Sequence, residues 1–444
     1  MRRKGRMRVL TAAMAAVALT ALGLVGHAWG DDQGRAEAPP DPAGAEQPER
    51  PDGADSNPAA GDDATAGNPE DPTSLPADLS PAQIGVIDII DAVLGRNTER
   101  SRVLHYPGSG YVKVHFADLN LAPGDTLKVS NPTETEVYTY WVDPETGQLT
   151  GDVPVHLDDT GGFWAMSVTG DTALVSLEHD GALLPPVLSG HTISIDKIAR
   201  GLTDSELKDR DAAAPAAPGS EESTCGGDEK ADVACFKSEH PTAYERSRAV
   251  AKLLIGGTSL CTGFRVGPNN RMLTNNHCIG NTWDARNTEV WFNFECRACD
   301  DHESRPVTKV YAEDVIATDP DLDYTLFTVD DFDAIQEFGY LQLARNQASS
   351  GEAVYVPQHP HGDTKHLSMY SDVDGGACQV DDPSYDGYLE GSDVSYYCDT
   401  SPGSSGAPVI SRRTHRVVAL HHLGGCPNSG VRGDLLYREL ADLL

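Results

Sequence analysis

One serine near the C-terminus stands in a setting that suits a nucleophile. Ser405 lies between Gly403 and Gly406 in the stretch CDTSPGSSGAPVI, residues 398–410. Glycines there allow backbone conformations with positive φ and leave room for a substrate. The N–H groups of Gly403 and Ser405 would converge on the oxyanion that forms when the serine hydroxyl attacks a carbonyl group. Such a site also needs a base and an acid that orients the base.

Two other stretches offer these groups. LTNNHCIG, residues 273–280, places His277 after a short apolar strand, and DLDYTLFTV, residues 321–329, places Asp323 at the start of another. A buried carboxylate at Asp323 would hold the tautomer of the imidazole and stabilise the imidazolium. The order along the chain is His, Asp, Ser, which is the trypsin-type order and differs from those of subtilisin and the α/β-hydrolases.

The length and charge of the chain limit the class of protein. A chain of 444 residues exceeds what one hydrophobic core usually organises, so two globular units are expected. A net charge of -34 and a pI near 4.6 disfavour phosphate-rich partners. We therefore expect no nucleic-acid partner and no stable association with membranes.

The N-terminal region has the features of an export signal. Residues 1–30 combine a basic start, an apolar run and small residues before an acidic stretch, which predicts a secretory signal peptide. An uncleaved membrane anchor is the alternative, because the apolar run is nearly long enough to span a bilayer. Residues 31–75 are acidic and rich in Pro, Ala and Gly, which predicts a disordered spacer. We expect a secreted, extracellular protein.

The middle of the chain predicts a separate small domain over residues 76–206. SPAQIGVIDIIDAVLG, residues 80–95, is expected to form a helix with Ser80 as N-cap and Pro81 at its first position. Alternating apolar segments follow, and these are typical of an antiparallel β-sandwich. Residues 207–224, which are charged and rich in Ala and Pro, predict a linker suited to proteolytic processing.

The last part of the chain, residues 225–444, is again rich in short strands and turns. Helical periodicity is nearly absent until GDLLYRELADLL at the C-terminus. The pattern predicts an all-β fold, a double six-stranded β-barrel closed by a C-terminal helix.

These residues and motifs carry a resemblance to trypsin/chymotrypsin-fold serine peptidases, nearest to the secreted bacterial glutamyl and lysyl endopeptidases. The similar stretches are CTGFRVG with LTNNHC, LDYTLF, HPHGDTKHLS, PGSSGAPV and LHHLGGC, in that order. The resemblance implies that His277 is the general base, Asp323 its orienting acid and Ser405 the nucleophile. It also implies that Gly403 and Ser405 form the oxyanion hole.

The chain departs from the family pattern at two positions. Animal trypsins carry an Asp before the nucleophile, which pairs with the new N-terminus on activation, whereas this chain has Ser404. The loop must therefore be held by other contacts. Similar lysyl endopeptidases carry an Asp shortly after their LHGG stretch, and this chain has Asn428 in that region.

All nine cysteines lie in the second half of the chain, and an exported protein meets conditions in which thiols pair. One cysteine must remain unpaired. The resemblance implies pairs of Cys261 with Cys278, of Cys225 with Cys426, and of Cys235 with either Cys296 or Cys299. Cys378 and Cys398 remain as a residual pair.

The residue after which the enzyme would cut depends on three candidate pocket residues. Asp399 lies where trypsin has its pocket Asp, which favours Lys or Arg at P1. Thr400 and His421 occupy positions where similar glutamyl endopeptidases carry Thr and His, and a hydroxyl with an imidazole can bind a Glu carboxylate. Asn428 removes one argument for Lys. We expect Glu, with Lys or Arg as the alternative.

Other interpretations of the chain are less favoured. Cys296, Cys299 and His302 in CRACDDH resemble half a zinc site, and HPHGDTKH, residues 359–366, offers three histidines. Disulfide use and the resemblance argue against both, so we expect no metal and no cofactor. The expected protein is a monomeric endopeptidase acting on proteins or peptides. The alternative is a non-catalytic secreted binding protein built on a decayed peptidase fold.

Overall fold

A computed structural model describes residues 80–95, 99–121, 124–179, 192–213, 223–301 and 303–444. These residues belong to one compact unit, Asp71–Leu444. The signal peptide predicted over residues 1–30 and the spacer predicted over residues 31–75 lie outside the described residues. None of the helices in the described ranges has the length and apolar character needed to cross a membrane.

Antiparallel strands dominate the N-terminal part. They are β1 (Ala82–Gln83), β2 (Gly85–Gly95), β3 (Ser101–His105), β4 (Tyr111–Leu119), β5 (Asp125–Ser130), β6 (Val137–Val142), β7 (Leu149–Gly151), β8 (Phe163–Trp164), β9 (Val168–Thr169), β10 (Thr172–His179) and β11 (Thr192–Gly201). One sheet has the order β3-β10-β5-β6-β7, and a second has the order β2-β11-β4-β8 with β9 paired to β4. Alternate residues of both sheets, such as Val112, Val114, Leu127 and Val129, form a shared core. We call this part, residues 80–213, the N-terminal domain.

The prediction of a helix over residues 80–95 was wrong. Residues Gly85–Gly95 form β2, which pairs with β11 from Gly85↔Gly201 to Gly95↔Thr192. The Val and Ile residues of this segment are stiff at χ1, which disfavours a helix and suits a strand. The capping signal at Ser80 and Pro81 is local, whereas the partner strand comes from a distant part of the chain.

The predicted linker begins within a helix, α1 (Asp204–Ala213). Residues 214–222 lie outside the described part of the chain.

The remaining elements form the C-terminal half. They are β12 (Ala231–Asp232), α2 (Pro241–Ser247), β13 (Val250–Ile255), β14 (Ser259–Arg265), β15 (Met272–Thr274), α3 (Thr282–Arg286), β16 (Thr288–Phe292), β17 (Thr308–Asp319), β18 (Tyr324–Val329), α4 (Phe332–Ile335), β19 (Val354–Gln358), β20 (His366–Ser368), β21 (Tyr370–Ser371), β22 (Gly376–Ala377), β23 (Asp393–Tyr396), β24 (Pro408–Ser411), β25 (Val417–Leu423), β26 (Asn428–Arg432) and α5 (Gly433–Leu440). Short 3₁₀ turns occur at Val233–Phe236, Gln336–Phe338 and Pro360–Gly362.

Two sheets organise this half. The first runs β14-β13-β16-β17-β18-β15 and closes into a barrel because β15 also pairs with β14 at Phe264 and Arg265. β1 of the N-terminal domain pairs with the other end of β14, at Ser259 and Leu260. The second runs β12-β20-β19-β24-β25-β26-β23, and α5 follows it at the C-terminus. The predicted all-β double barrel with a C-terminal helix is thereby confirmed.

Candidate active site

The first barrel brings His277 and Asp323 together. His277 follows β15 and Asp323 precedes β18, and these two strands are antiparallel neighbours with Thr274 opposite Thr325. The ring Nδ1–H of His277 donates to Asp323 Oδ2 at 2.8 Å, and the backbone N–H of His277 donates to Asp323 Oδ1 at 3.0 Å. Asp323 has a φ of 43°, a left-handed conformation that Asp tolerates better than most residues. One carboxylate thus fixes both the backbone and the ring of the histidine.

Asp323 is buried but remains ionised. Burial by itself raises the pKa of this carboxyl group, but the charges and hydrogen bonds of His277 and His422 outweigh it and hold the pKa well below its usual range. An anion at this position can stabilise an imidazolium at His277.

A second histidine approaches Asp323 from the second barrel. His422, on β25, places its Nδ1 at 3.1 Å from Asp323 Oδ2 and its Nε2 at 2.7 Å from Asp393 Oδ2. Because each ring nitrogen faces a carboxylate, both carry protons and the ring is an imidazolium. Burial lowers the pKa of His422, but the charge of Asp393 and the hydrogen bonds to both carboxylates outweigh it and raise the pKa to about 10.

Asp393 is itself held in place by two hydroxyl groups. Ser429 Oγ donates to Asp393 Oδ2 at 2.7 Å and Ser392 Oγ donates to Asp393 Oδ1 at 2.9 Å. Charges of opposite sign therefore alternate along Asp323, His422 and Asp393, and His277 lies at the end of this row. Neither His422 nor Asp393 was predicted from the sequence as a site residue. The histidine doublet in LHHLGG was the available signal, because adjacent residues of a strand point to opposite faces.

Ser405 lies in the loop between β23 and β24 and is 7% exposed. Its carbonyl accepts the N–H of Thr262 on β14 at 2.8 Å, and the hydroxyl of Thr262 donates to the carbonyl of Gly403 at 2.9 Å. The disulfide between Cys261 and Cys278 ties β14 to the residue that follows His277. The Sγ of Cys278 is 4.0 Å from the carbonyl oxygen of Ser405. The serine loop and the histidine turn are therefore held against the same strand.

The two glycines around Ser405 are required by the backbone. Gly403 has a φ of 102° and Gly406 a φ of 88°, both in the left-handed half of conformational space. A Cβ on Gly406 would collide with the carbonyl of Thr262, and one on Gly403 would collide with the side chain of Leu260. This loop is thus packed closely against β14.

Ser404 supplies contacts in place of the aspartate of animal trypsins. Its hydroxyl contacts the Oε1 of Gln358 and lies 2.7 Å from the carbonyl of Ser401. Gln358 in turn donates through Nε2 to the Oγ of Ser368 and to the carbonyl of Asp399, both at 2.8 Å. The loop that carries Ser405 is thereby held by neutral hydrogen bonds.

The carboxylate of Asp399 binds backbone N–H groups of the protein itself, whereas the sequence suggested that it is the charge of the substrate pocket. The side chain is fully buried, and its two oxygens accept the backbone N–H groups of Cys225 at 2.9 Å and Glu229 at 2.8 Å. The sequence suggested that this charge could attract a basic P1 residue. In the structure, both carboxylate oxygens already accept hydrogen bonds from the backbone of the segment before β12.

Thr400 meets the end of the predicted linker. Thr400 Oγ1 and Asn428 Oδ1 both accept the N–H of Ser223 at 3.1 Å, and Asn428 Nδ2 donates to the carbonyl of Ser223 at 2.8 Å. Thr400 and Asn428 therefore belong to one polar cluster.

His421 is buried and neutral. Its Nδ1 lies 2.6 Å from the hydroxyl of Tyr396 and 3.2 Å from the carbonyl of Ser429. Its Nε2 has no hydrogen-bond partner among the described residues. Burial, together with the charge of His422, lowers the pKa of His421 to about 3.

Three disulfides are present among the described residues: Cys225–Cys426, Cys235–Cys299 and Cys261–Cys278. The assignment of Cys296 to a disulfide is corrected, because Cys299 reaches Cys235 with the Cα atoms 4.4 Å apart. The buried thiol of Cys296 instead lies 3.1 Å from the hydroxyl of Thr364. Burial, and the nearby carboxylate of Asp232, raise the pKa of Cys296 to about 11.

The expected bond between Cys378 and Cys398 is absent. Both thiols are buried and neighbouring, and they are present as free cysteines.

The groups suggested as metal ligands have other roles. Two clusters place three ligand atoms close together, Cys261 with His277 and Cys278, and Cys235 with Cys299 and Asp300, but their sulfur atoms are in disulfides. In the middle loop, His359 Nδ1 lies 3.1 Å from the carbonyl of Asp363, and His366 Nδ1 lies 2.7 Å from that of Thr364. His302 is outside the described residues.

Comparison with known families agrees with this architecture. Residues 261–420 match the family model described as a trypsin-like peptidase domain. The matched residues lie within the two barrels of the C-terminal half, so this half is similar to a trypsin-like peptidase domain.

Two curated proteins are similar to parts of the chain. Secreted RxLR effector protein 73 of Plasmopara viticola is 37% identical over 231 residues, which are 50% of this chain and 56% of that protein. Uncharacterized protein y4fB of Sinorhizobium fredii (strain NBRC 101917 / NGR234) is 33% identical over 172 residues, which are 37% of this chain and 25% of that protein. The matches thus span only part of each relative.

Solved structures of peptidases are also similar. A Glu endopeptidase in complex with MPD is 18% identical, with 49% of this chain and 97% of that chain covered and a TM-score of 0.37. The HtrA-type protease AlgW with a tripeptide is 13% identical, with 45% and 61% covered and a TM-score of 0.32.

Proposed function

We propose that the protein is a secreted serine endopeptidase with His277, Asp323 and Ser405 as its catalytic triad. This proposal rests on the buried Asp323 carboxylate, which accepts hydrogen bonds from both the ring and the backbone N–H of His277. That contact fixes the tautomer in which Nδ1 is protonated and Nε2 is a base. The closely packed glycine loop that presents Ser405 supports the same assignment.

The mechanism follows from these roles. His277 Nε2 accepts the hydroxyl proton of Ser405 while Oγ attacks the carbonyl carbon of the scissile bond. The N–H groups of Gly403 and Ser405 stabilise the oxyanion. The intermediate collapses, the amine leaves with the proton from His277, and the acyl-enzyme remains. Water, deprotonated by His277, then releases the acid product and restores Ser405.

A fluorophosphonate probe tests the activity without knowledge of the substrate. The wild type should be labelled at Ser405, whereas Ser405→Ala should not react. Ser404→Ala is the matched control, because its hydroxyl is one residue away and holds the loop through Gln358. Labelling lost in Ser404→Ala but kept in Ser405→Ala would contradict the assignment.

The alternative function is a non-catalytic secreted binding protein. The similarity to a protein named as a secreted effector favours this alternative. The same probe separates the two functions, since a binding protein on a decayed fold would leave the probe unreacted.

We also propose that the enzyme cleaves after Glu. The Asp399 carboxylate is already satisfied by two backbone N–H groups, which weakens the case for Lys or Arg. Tyr396 can donate to His421 Nδ1, which leaves an Nε2–H on His421 to bind a substrate carboxylate. To reach the same carboxylate, the hydroxyl of Thr400 must exchange its contact with Ser223 for the substrate. Cleavage sites in a proteome digest test this. Cuts mainly after Lys or Arg, lost in Asp399→Ser, would overturn it.

A further inference from the structure

A buried ionic cluster joins the N-terminal domain to the first barrel. Glu289, on β16, is fully buried, and its carboxylate contacts Lys113 Nζ from the N-terminal domain. Ser167, also from that domain, donates its N–H to Glu289 at 3.0 Å and its hydroxyl at 2.5 Å. An acidic side chain of the peptidase half is therefore neutralised by the N-terminal domain.

The reverse arrangement occurs beside it. Lys309, on β17, donates to the carbonyl of Ser167 at 2.8 Å and to Glu136 Oε2 at 3.2 Å, and both acceptors belong to the N-terminal domain. Charged, hydrogen-bonded pairs therefore run in both directions across the interface, and removing one partner of such a pair is expected to speed dissociation. These contacts do not depend on an intact linker.

The N-terminal domain also extends the first barrel. β1 pairs with β14, with Ala82 opposite Leu260, and the N–H groups of Ile84 and Gly85 donate to the carbonyl of Thr258 at 2.8 and 2.9 Å. Ile84 packs in a buried cluster with Leu260. Leu260 is the side chain that fills the space beside Gly403. The side chains of Ile84 and Leu260 therefore connect the edge of the N-terminal domain to the loop of Gly403 and Ser405, which we call the oxyanion loop.

A second path runs through the loop between β19 and β20. Arg210, in α1, places Nη2 at 3.2 Å from His361 Nδ1 and donates through Nη1 to the carbonyl of Gln83 at 2.5 Å. The backbone N–H of His361 donates to the carbonyl of Pro402 at 2.7 Å. Pro402 directly precedes Gly403, so α1 contacts the loop that supports the oxyanion hole.

We propose that the N-terminal domain is a retained positioning part of the enzyme, which stays bound after the linker is cut and holds the oxyanion loop in its active geometry. It is then neither a discarded pro-region nor an inhibitor. The effect on turnover rests on the proposed peptidase function, whereas the retention does not.

Retention is tested on the full chain with a site-specific protease sequence inserted within residues 214–222. After cleavage, the two parts should elute together in gel filtration at physiological salt. Ser167→Ala should weaken the complex, and Glu313→Gln, an exposed acidic residue on β17, should not. Glu289→Gln serves as the stronger variant if it folds. Separation of the wild-type parts would overturn the proposal whether or not the protein has peptidase activity.

Positioning is tested with Arg210→Ala. Loss of this contact should lower kcat about 10-fold, because small misplacements of catalytic groups slow turnover, while KM and the melting temperature stay the same. Lys208→Ala, an exposed change in the same helix, should match the wild type.

An unchanged kcat in Arg210→Ala, or inhibition of the nicked enzyme by added N-terminal domain, would overturn the positioning role. If neither the wild type nor the nicked form is labelled by the fluorophosphonate, the peptidase function fails while the gel filtration result stands.

Discussion

Replacement of Asp393 by Asn should shift the pH dependence of catalysis. Asp393 is the carboxylate that holds His422 as a cation beside Asp323, with His422 Nε2 at 2.7 Å. In the variant, the neutral amide no longer favours the charged ring, so His422 loses its proton at neutral pH. Asp323 then interacts with only one cation, His277, when that residue becomes protonated.

The size of the shift follows from the geometry. The nitrogens of His277 and His422 lie 2.8 and 3.1 Å from the same oxygen, so the two nitrogens are at most about 6 Å apart. At an effective dielectric constant near 20, their repulsion is on the order of 2 to 3 kcal/mol. Removing this repulsion makes protonation of His277 easier, and the simultaneous loss of the more distant negative charge of Asp393 offsets part of the effect. The midpoint of the acidic limb of kcat/KM should therefore move upward by about one pH unit.

The assay is the rate of fluorophosphonate labelling from pH 4 to pH 9, which needs no knowledge of the preferred substrate. Asp381→Asn is the control, since Asp381 is an exposed carboxylate of the same barrel. Melting curves at each pH separate a catalytic effect from unfolding. An acidic limb that stays in place or moves to lower pH in Asp393→Asn would refute the reasoning.

Three other outcomes are expected. Ser405→Ala should lower peptidase turnover by about 10⁴-fold or more without a loss of stability, measured by kinetics and thermal melting, because the hydroxyl fills no core cavity. His421→Ala should reduce cleavage after Glu in a proteome digest more than cleavage after other residues, and an unchanged profile would argue against its role in the pocket. Lys252→Met should make the stability of the protein less dependent on pH, and it also removes the hydrogen bond from Nζ to the carbonyl of Gly362. Burial lowers the pKa of Lys252 to about 7, so the wild type should gain stability as the pH rises from about 7 towards 10, and denaturant titrations should show a flatter profile for the variant.

The sequence by itself determined much of the candidate site. Residue types, glycine spacing and the order of His277, Asp323 and Ser405 are local features, and strand-rich periodicity indicated the double barrel. The structure places His277 against Asp323 because their strands are neighbours in the first barrel. Each motif indicates where a candidate functional group lies because the flanking residues determine the backbone conformation around that group.

Contacts between distant segments were decided only by the tertiary structure. His422 meets Asp323 across 99 residues of sequence, and no local pattern links them. The carboxylate of Asp399 turned to the backbone of Cys225, a partner 174 residues away. Cys299, rather than Cys296, reached Cys235 because side-chain direction in the folded turn decides which sulfur is in range.

A distant partner also explains why Gly85–Gly95, in the segment that was expected to be a helix, forms a strand. Its capping residues gave a local helix signal, but β11 offered a complete ladder of hydrogen bonds to Gly85–Gly95. A strand is stabilised by a partner that the neighbouring residues do not reveal, whereas a helix satisfies its backbone within its own segment. Backbone conformation set by neighbouring residues was therefore predictable, and pairings set by the assembly of distant strands were not.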